Sequence, residues 1–212
     1  MNEAINRGFR RANGDILAWL NCDEQYLPET LDKVRAWFEE NPEHDILFGD
    51  VILVTPEGTP LSYRHVIQPY SGHIRSCTLP TLSAATFIRR KVIDQGFYLP
   101  TEYKAISDAV WVDTLLRKVF RAGILNQPLA IFTQTGVNLG QTDLSYEEFK
   151  SWKIKTQSTG FLRSLYWRSF HRLRKLFMGA YRTWNVSIDI YTAGSSARVT
   201  KKARIGFRWI KG

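Results

Sequence analysis

The chain has 212 residues, of which 44% are hydrophobic and 13% aromatic, so it can bury a core and does not belong to the disordered class of proteins. Cys22 and Cys77 lie far apart in the sequence, without the Cys/His spacing of a zinc site or a disulfide framework, which predicts a reducing, cytoplasmic setting. No segment approaches the roughly 20 consecutive apolar residues of a membrane span, and the N-terminal residues lack the apolar stretch of a secretory signal, so we expect neither feature.

The net charge of +9 is distributed unevenly along the chain. Residues 1–150 carry 15 Lys and Arg against 19 Asp and Glu, a balance of −4, whereas residues 151–212 carry 14 against one, a balance of +13. A mildly acidic body followed by a basic, aromatic-rich segment requires two explanations. We therefore predict two parts, 1–145 and 146–212, with the boundary between Gln141 and Ser151.

Apolar residues at helical spacing alternate with short apolar runs along residues 1–145. The predicted helices are 2–12, a helix that begins at Pro28 and ends before Asn41, and 108–122. The predicted strands are 16–20, two strands within 45–64 around the turn at 56–58, a strand within 81–96 that leads into a short helix, and 124–134. This order of helices and strands predicts an α/β domain.

Four polar residues, Asn21, Cys22, Asp23 and Glu24, follow the first predicted strand. In an open α/β sheet, ligands bind beyond the carboxyl ends of the strands. A carboxylate there suits Mg²⁺ or Mn²⁺, which takes one or two oxygen ligands from the protein and the others from phosphates and water. The alternative is that Asp23 and Glu24 act as solvated caps of the next helix, and the dipeptide alone favours that interpretation.

Residues 6–31 read N-R-G-F-R-R-A-N-G-D-I-L-A-W-L-N-C-D-E-Q-Y-L-P-E-T-L. This segment resembles the family 2 glycosyltransferase pattern of N-(K/R)-G, A-x-G-(D/E), an apolar strand that ends in (D/N)-S-D-D, and x-Y-x-P. Further motifs of that family follow in the same order: Gly49-Asp50, F-x-R-R within 85–90, D-x-x-W at 108–111 and T-G-x-N at 135–138. The resemblance covers most of the first 140 residues.

The resemblance implies a GT-A fold, which is a Rossmann-like mixed sheet of the nucleotide-diphospho-sugar transferase type. It also implies an inverting, metal-dependent transfer of a sugar from a UDP- or GDP-sugar to an acceptor hydroxyl in polysaccharide or cell-envelope glycan synthesis. Asp23 would take the second acidic position of the DxD motif and hold Mg²⁺ or Mn²⁺. Asn21, at the first position, would donate a hydrogen bond to the donor, and Glu24 would complete the donor site.

Asp108 would be the general base that takes the proton of the acceptor hydroxyl. The alternative for Asp108 is a helix N-cap, and Asp113, further along the same helix, is the rival candidate for the base. The resemblance further implies that an N-terminal β-α-β portion with the nucleotide base pocket is missing before Met1. Three explanations stay open for that expectation: a truncated gene, a start assigned at an internal methionine, and a catalytically inactive remnant.

Residues 161–184 interleave basic residues with leucines and aromatic rings, a pattern that predicts a basic amphipathic helix. Such helices lie on anionic bilayers, which would suit a lipid-linked acceptor and a position at the inner face of the cell membrane. The alternative is that the apolar face packs on the body. A nucleic-acid binder would use the same charges, but no RRM, helix-turn-helix or finger pattern occurs, so we expect a glycan or lipid-linked acceptor and no nucleic acid.

Overall fold

The fold is organised around one sheet that combines parallel and antiparallel strand pairs. The computed structural model describes residues 1–135, 142–192 and 195–208. The helices are α1 (Asn2–Arg11), α2 (Thr30–Glu40), α3 (Ser71–Ser76), α4 (Arg90–Asp94), α5 (Ser107–Leu116), α6 (Asp143–Lys155) and α7 (Phe161–Phe177), and a 3-10 turn spans Ser83–Ala85. The strands are β1 (Ile16–Leu17), β2 (Glu24–Tyr26), β3 (Ile46–Val54), β4 (Pro60–Arg64), β5 (Thr86–Arg89), β6 (Ala122–Thr133), β7 (Thr183–Thr192) and β8 (Ser195–Gly206).

Strands β3 and β6 run parallel at the centre of the main sheet, whose order is β1-β5-β3-β6-β2. On the other edge of β3, the first half pairs antiparallel with β5 and the second half with β4. All nine residues of β3 are buried, as expected of a strand covered on both faces. Ile46 and Phe48 pack in one core cluster, whereas Leu47 and Leu53 pack in another. The mixed α/β fold class predicted from the sequence is confirmed.

The predicted strand over 16–20 is much shorter in the structure than in the sequence pattern. Only Ile16 and Leu17 pair, with β5, because Trp19 turns into an aromatic cluster with Phe9 of α1 and Trp111 of α5. The polar residues that follow were predicted as a loop, yet Glu24 begins β2 and pairs with Phe132 of β6. The acidic loop is therefore limited to the residues between β1 and β2.

The basic C-terminal segment contains a β-hairpin that the sequence analysis did not predict. Strands β7 and β8 pair along their length and place Ile188, Ile190 and Ile205 in a core cluster with Ile52 and Ile131 of the main sheet. The predicted helix over 161–184 ends at Phe177, because Gly179 adopts a left-handed conformation with φ 73° that closes the last turn. The division at residue 145 stays a prediction, and the hairpin shares a core with residues on the other side of it.

Helix α7 lies against α3 and the residues before it through a face that combines Trp167 with the polar residues His171 and Arg174. Trp167 packs over Gly72, where an added Cβ would lie 2.0 Å from the indole ring, so only glycine permits this approach. His171 stacks on His73 at 4.0 Å between ring centroids, and Arg174 donates to the carbonyl of Gln68 at 2.8 Å. The apolar residues of α7 are exposed on the opposite side: Phe161, Leu162, Leu165, Tyr166, Leu173, Leu176 and Phe177. Within the described ranges, no helix combines the length and apolarity that crossing a membrane requires.

Candidate functional site

A cavity of about 980 Å³ brings together the acidic loop, the start of α5 and the inner side of α7. Asn21 and Asp23 contribute from the loop, and Ser107 and Asp108 contribute from α5. These groups are far apart in the sequence, and the fold gathers them in one place. Three predicted site residues, Asn21, Asp23 and Asp108, therefore line the same cavity.

The acidic loop is held by hydrogen bonds at both of its ends. The Thr133 hydroxyl donates to the carbonyl of Asp23 at 2.6 Å, and the amide of Asn21 donates to the Glu24 carboxylate at 2.9 Å. The side chain of Asp23 is solvent-exposed, whereas that of Asn21 is partly buried. The loop thus presents one open carboxylate next to one amide side chain.

Glu24 has a different position from its two neighbours in the loop. It is buried and does not line the cavity, and its Oε1 atom has no hydrogen-bond partner among the described residues. Burial raises the pKa of Glu24, opposed by the hydrogen bonds from Asn21 and reinforced by the charges of Asp23 and Asp108. These charge effects place the three acids in one acidic group.

Asp108 lies in the first turn of α5 and lines the cavity. It is not the N-cap, which is Ile106, and its Oδ1 atom accepts from the amide of Ala109 at 2.8 Å. Burial raises the pKa of Asp108, opposed by hydrogen bonds from backbone amides. A carboxylate with a raised pKa is a stronger base when it is ionised.

Two structural features that the sequence analysis missed fix the position of Asp108. The Glu148 carboxylate of α6 accepts from the amides of three consecutive residues that precede α5, at 2.8 to 3.2 Å. Trp111, one turn after Asp108, joins the cluster with Phe9 and Trp19. Glu148 therefore anchors the start of the helix, and the aromatic cluster anchors its side.

Asp113, the rival candidate, does not line the cavity. It is buried and accepts from the Ser71 hydroxyl at 2.5 Å. Its two carboxylate oxygens pair with Arg75 at 3.1 Å and Arg117 at 3.0 Å. This arrangement ties α3 to α5 and gives Asp113 a structural environment.

Two other motif residues also have structural environments. Asp50 of the Gly49-Asp50 pair is fully buried in β3 and accepts from the Tyr63 hydroxyl, His65 Nδ1 and the Val66 amide. Asn6 exchanges two hydrogen bonds with the backbone of Leu99. Of the predicted T-G-x-N motif, residues 136–138 lie outside the described residues.

Basic and imidazole side chains line the side of the cavity that α7 forms. They are Arg64, His65, His73, Arg168, His171, Arg172 and Lys175. Burial, together with the neighbouring positive charges, lowers the pKa of His73 to about 4 and that of His171 to about 3. The two stacked imidazoles are therefore neutral at pH 7, and the positive charge of this side comes from the arginines and the lysine.

Residues 1–97 match the model of the family described as Glycosyl transferase family 2. This segment, somewhat less than half of the chain, is therefore similar to glycosyl transferase family 2. No match was found among curated proteins. Two solved structures of S. aureus TarS are similar to the chain. One, of TarS 1–349, has a TM-score of 0.45 at 19% identity and covers 62% of this chain and 40% of that chain; the other has a TM-score of 0.48 at 15% identity and covers 94% of this chain and 47% of that chain.

The family 2 match includes some of the predicted site residues and not others. Asn21, Asp23 and Glu24 lie within residues 1–97, whereas Asp108 lies beyond the match. The chain spans less than half the length of either TarS chain. Among the described residues, no group of three or more His, Cys, Asp and Glu side chains could hold a metal ion.

We expect the His73 and His171 pair to make the protein sensitive to acid. Their folded pKa values lie below the ordinary 6.5, so the unfolded chain takes up protons first as the pH falls through 6.5, and stability present at pH 7.5 is lost. Between pH 7.5 and 5.5 the pair should lower the free energy of unfolding by on the order of 2 kcal/mol, after allowance for the part of His171 that is exposed. Denaturant unfolding of the wild type and of His171→Phe at both pH values measures this loss, and an equal loss in both proteins would contradict it.

Proposed function

We propose that the protein transfers a sugar from a UDP- or GDP-sugar to an acceptor hydroxyl, with inversion at the anomeric carbon. The observation that carries the proposal is that Asp23, within the family 2 segment, and Asp108, beyond it, line one cavity. Such a cavity is large enough for a nucleotide-sugar, since ligand sites typically measure roughly 300 to 1,000 Å³.

The donor set of the acidic loop fits Mg²⁺ or Mn²⁺. Asp23 supplies an exposed carboxylate, and the Asn21 side chain supplies an amide oxygen beside it. These hard cations prefer oxygen ligands and bind through one or two carboxylates together with substrate phosphates and water. A single protein carboxylate therefore suffices for the ion, which when bound would neutralise charge on the departing nucleoside diphosphate.

The residues of the chain divide the reaction between them. Asp23 and Asn21 hold the diphosphate end of the donor, and Glu24 keeps the loop in shape by accepting from the Asn21 amide. The Asp108 carboxylate takes the proton of the acceptor hydroxyl. At the same time the hydroxyl oxygen attacks the anomeric carbon, and the bond between that carbon and the diphosphate oxygen breaks. The buried environment that raises the pKa of Asp108 favours this proton transfer.

Binding of UDP and GDP to the whole chain tests the donor part of the proposal. We expect calorimetry to detect binding of one of them in Mn²⁺ and a loss of affinity of at least about tenfold in EDTA, because Asp23 would hold the ion and the ion would neutralise charge on the diphosphate. Equal affinity in Mn²⁺ and EDTA would contradict the metal-dependent site. Absence of binding for both nucleotides would contradict the donor assignment.

We further propose that α7 docks on an anionic membrane surface, which suits a lipid-linked acceptor in cell-envelope glycan synthesis at the inner face of the membrane. Seven apolar side chains of α7 are exposed, and the segment 151–212 carries a balance of +13. Apolar groups enter the interfacial region, and basic groups are attracted to anionic headgroups. The described part of the chain offers these apolar residues no intramolecular partner that would bury them.

Co-sedimentation with phosphatidylglycerol vesicles tests this docking. Leu162, Leu173 and Phe177 are 78%, 52% and 79% exposed, so their joint replacement by Gln should not disturb the core. Each replacement removes roughly 1.5 to 3 kcal/mol of the free energy gained when an apolar side chain is buried in the bilayer, so we expect the affinity for the vesicles to fall at least about tenfold. The matched control replaces Leu31 and Val119, exposed on the body at 63% and 86%, with Gln. Equal sedimentation of both variants at low salt would contradict the docking.

A further inference from the structure

Four cationic side chains line the α7 side of the cavity without a carboxylate partner. Arg64, Arg168, Arg172 and Lys175 form no ion pair within the described residues, and the residues outside the described ranges include no Asp or Glu. Arg64 and Lys175 are half-buried, whereas Arg168 and Arg172 are exposed, so the cost of taking a charge from water without a partner falls on Arg64 and Lys175. An arrangement of this kind is stabilised by a bound anion.

Aromatic rings rather than acids hold two of these cations. Lys175 Nζ lies 4.0 Å from the centroid of the Phe207 ring, and the Arg64 guanidinium lies 4.8 Å from the same centroid. Burial, together with the charge of Arg64, lowers the pKa of Lys175 to about 8. The two cations therefore lie over the same aromatic ring, and both are partly buried. Their mutual repulsion makes the burial of each charge more costly.

The cations belong to other elements of the fold than the acids assigned to the donor. Arg168, Arg172 and Lys175 belong to α7, beyond the family 2 match, and Arg64 ends β4. The acids that line the cavity among the described residues, Asp23 and Asp108, belong to the acidic loop and to α5. The cavity thus has an acidic part suited to a metal with a diphosphate and a basic part suited to an anion without a metal.

We propose that Arg64, Arg168, Arg172 and Lys175 form a second phosphate subsite, which binds a phosphate ester carried by the acceptor. This inference rests on the proposed transferase function and names its acceptor class. Arginine forks bind phosphate oxygens through paired hydrogen bonds, and the lysine adds a point charge. Binding the phosphate there would bring an acceptor hydroxyl into the cavity that Asp108 lines.

Glycerol 3-phosphate, a phosphate ester that bears hydroxyl groups, is the probe for this subsite. We expect the whole chain to bind it in EDTA and the double variant Arg172→Gln, Lys175→Gln to lose at least about tenfold in affinity, because two charge-assisted contacts are removed. The matched control is Lys155→Gln, Arg163→Gln, which removes the same charge from exposed positions of the same segment that do not line the cavity. Equal affinity of the two double variants would overturn the subsite.

A second arm separates the acceptor from the donor as the source of phosphate. The Arg172 and Lys175 variant should keep its affinity for UDP or GDP in Mn²⁺ within about threefold, whereas Asp23→Ala should lose that affinity and still bind glycerol 3-phosphate. Loss of nucleotide binding in the Arg172 and Lys175 variant would overturn the acceptor assignment. Binding of glycerol 3-phosphate by a chain that binds neither nucleotide would refute the proposed function and leave the subsite standing. If the double variant unfolds, Arg172→Gln alone, at an exposed position, provides the comparison.

Discussion

Asp108→Asn is expected to lower turnover by about 10² or more while the affinity for the donor is retained. The substitution preserves size and the hydrogen bond from the Ala109 amide but removes the group that accepts the proton. In the wild type, turnover should rise with pH through the raised pKa of Asp108, because only the ionised form is a base. The variant should lack this acidic limb. Steady-state kinetics across pH, with donor affinity from calorimetry, measures both effects.

Asp113→Asn is the matched comparison for the base. Asp113 pairs with Arg75 and Arg117 in a buried position, so its replacement should lower thermal stability, since it leaves cations without their partner. Turnover of the folded fraction at reduced temperature should be close to that of the wild type. If Asp113→Asn abolishes turnover and Asp108→Asn does not, the base is misassigned.

Asp23→Ala is expected to abolish Mn²⁺-dependent binding of the nucleoside diphosphate. Asp23 is the exposed carboxylate of the acidic loop, and Glu24, the acid next to it, is buried and does not line the cavity. Metal-dependent affinity should therefore disappear, while the melting temperature changes little because Asp23 is exposed. Calorimetry in Mn²⁺ and in EDTA provides the measurement.

Asp32→Ala is the control for the loss of one acidic charge. Asp32 is exposed on α2, pairs with Arg35 and does not line the cavity. It should bind the nucleotide like the wild type, since surface ion pairs contribute only about 0 to 1 kcal/mol. Unchanged affinity in Asp23→Ala would remove the metal assignment.

The sequence predicted elements whose apolar pattern is continuous. The helices α1 and α2 and the strands β3 and β4 fall where periodicity and turn residues placed them. The pattern overestimated the length of β1. Trp19 is as apolar as a strand residue, but it packs against Phe9 and Trp111 outside the sheet. Sequence periodicity cannot distinguish these two ways of burying a ring.

The orientation of α7 could not be predicted from the sequence either. An amphipathic pattern is expected to bury its apolar face, yet in this structure Trp167 and His171 face the body and Leu162 and Phe177 face outward. Gly72 decides the packing, because its missing side chain admits the Trp167 ring. Neither Gly72 nor Trp167 alone predicts this packing, because it depends on their contact in the folded chain.

The candidate site was predicted in part. Motif resemblance selected Asp23 and Asp108, and the fold places both at one cavity. It did not select Glu148, because the contacts of Glu148 with the backbone before α5 are long-range. It also did not select the basic side of the cavity, because those residues come from both β4 and α7. Glu148 could have been singled out only as one acid among many, since a carboxylate that accepts from backbone amides has no sequence signature.

The most direct test is release of UDP or GDP from a panel of nucleotide-sugars by the whole chain, with and without Mn²⁺. In this account at least one donor is turned over in Mn²⁺, slowly to water and faster once an acceptor is present, and both Asp23→Ala and Asp108→Asn abolish release to an acceptor. Mn²⁺-dependent release that survives both substitutions, or no release from any donor by the folded chain, would contradict it.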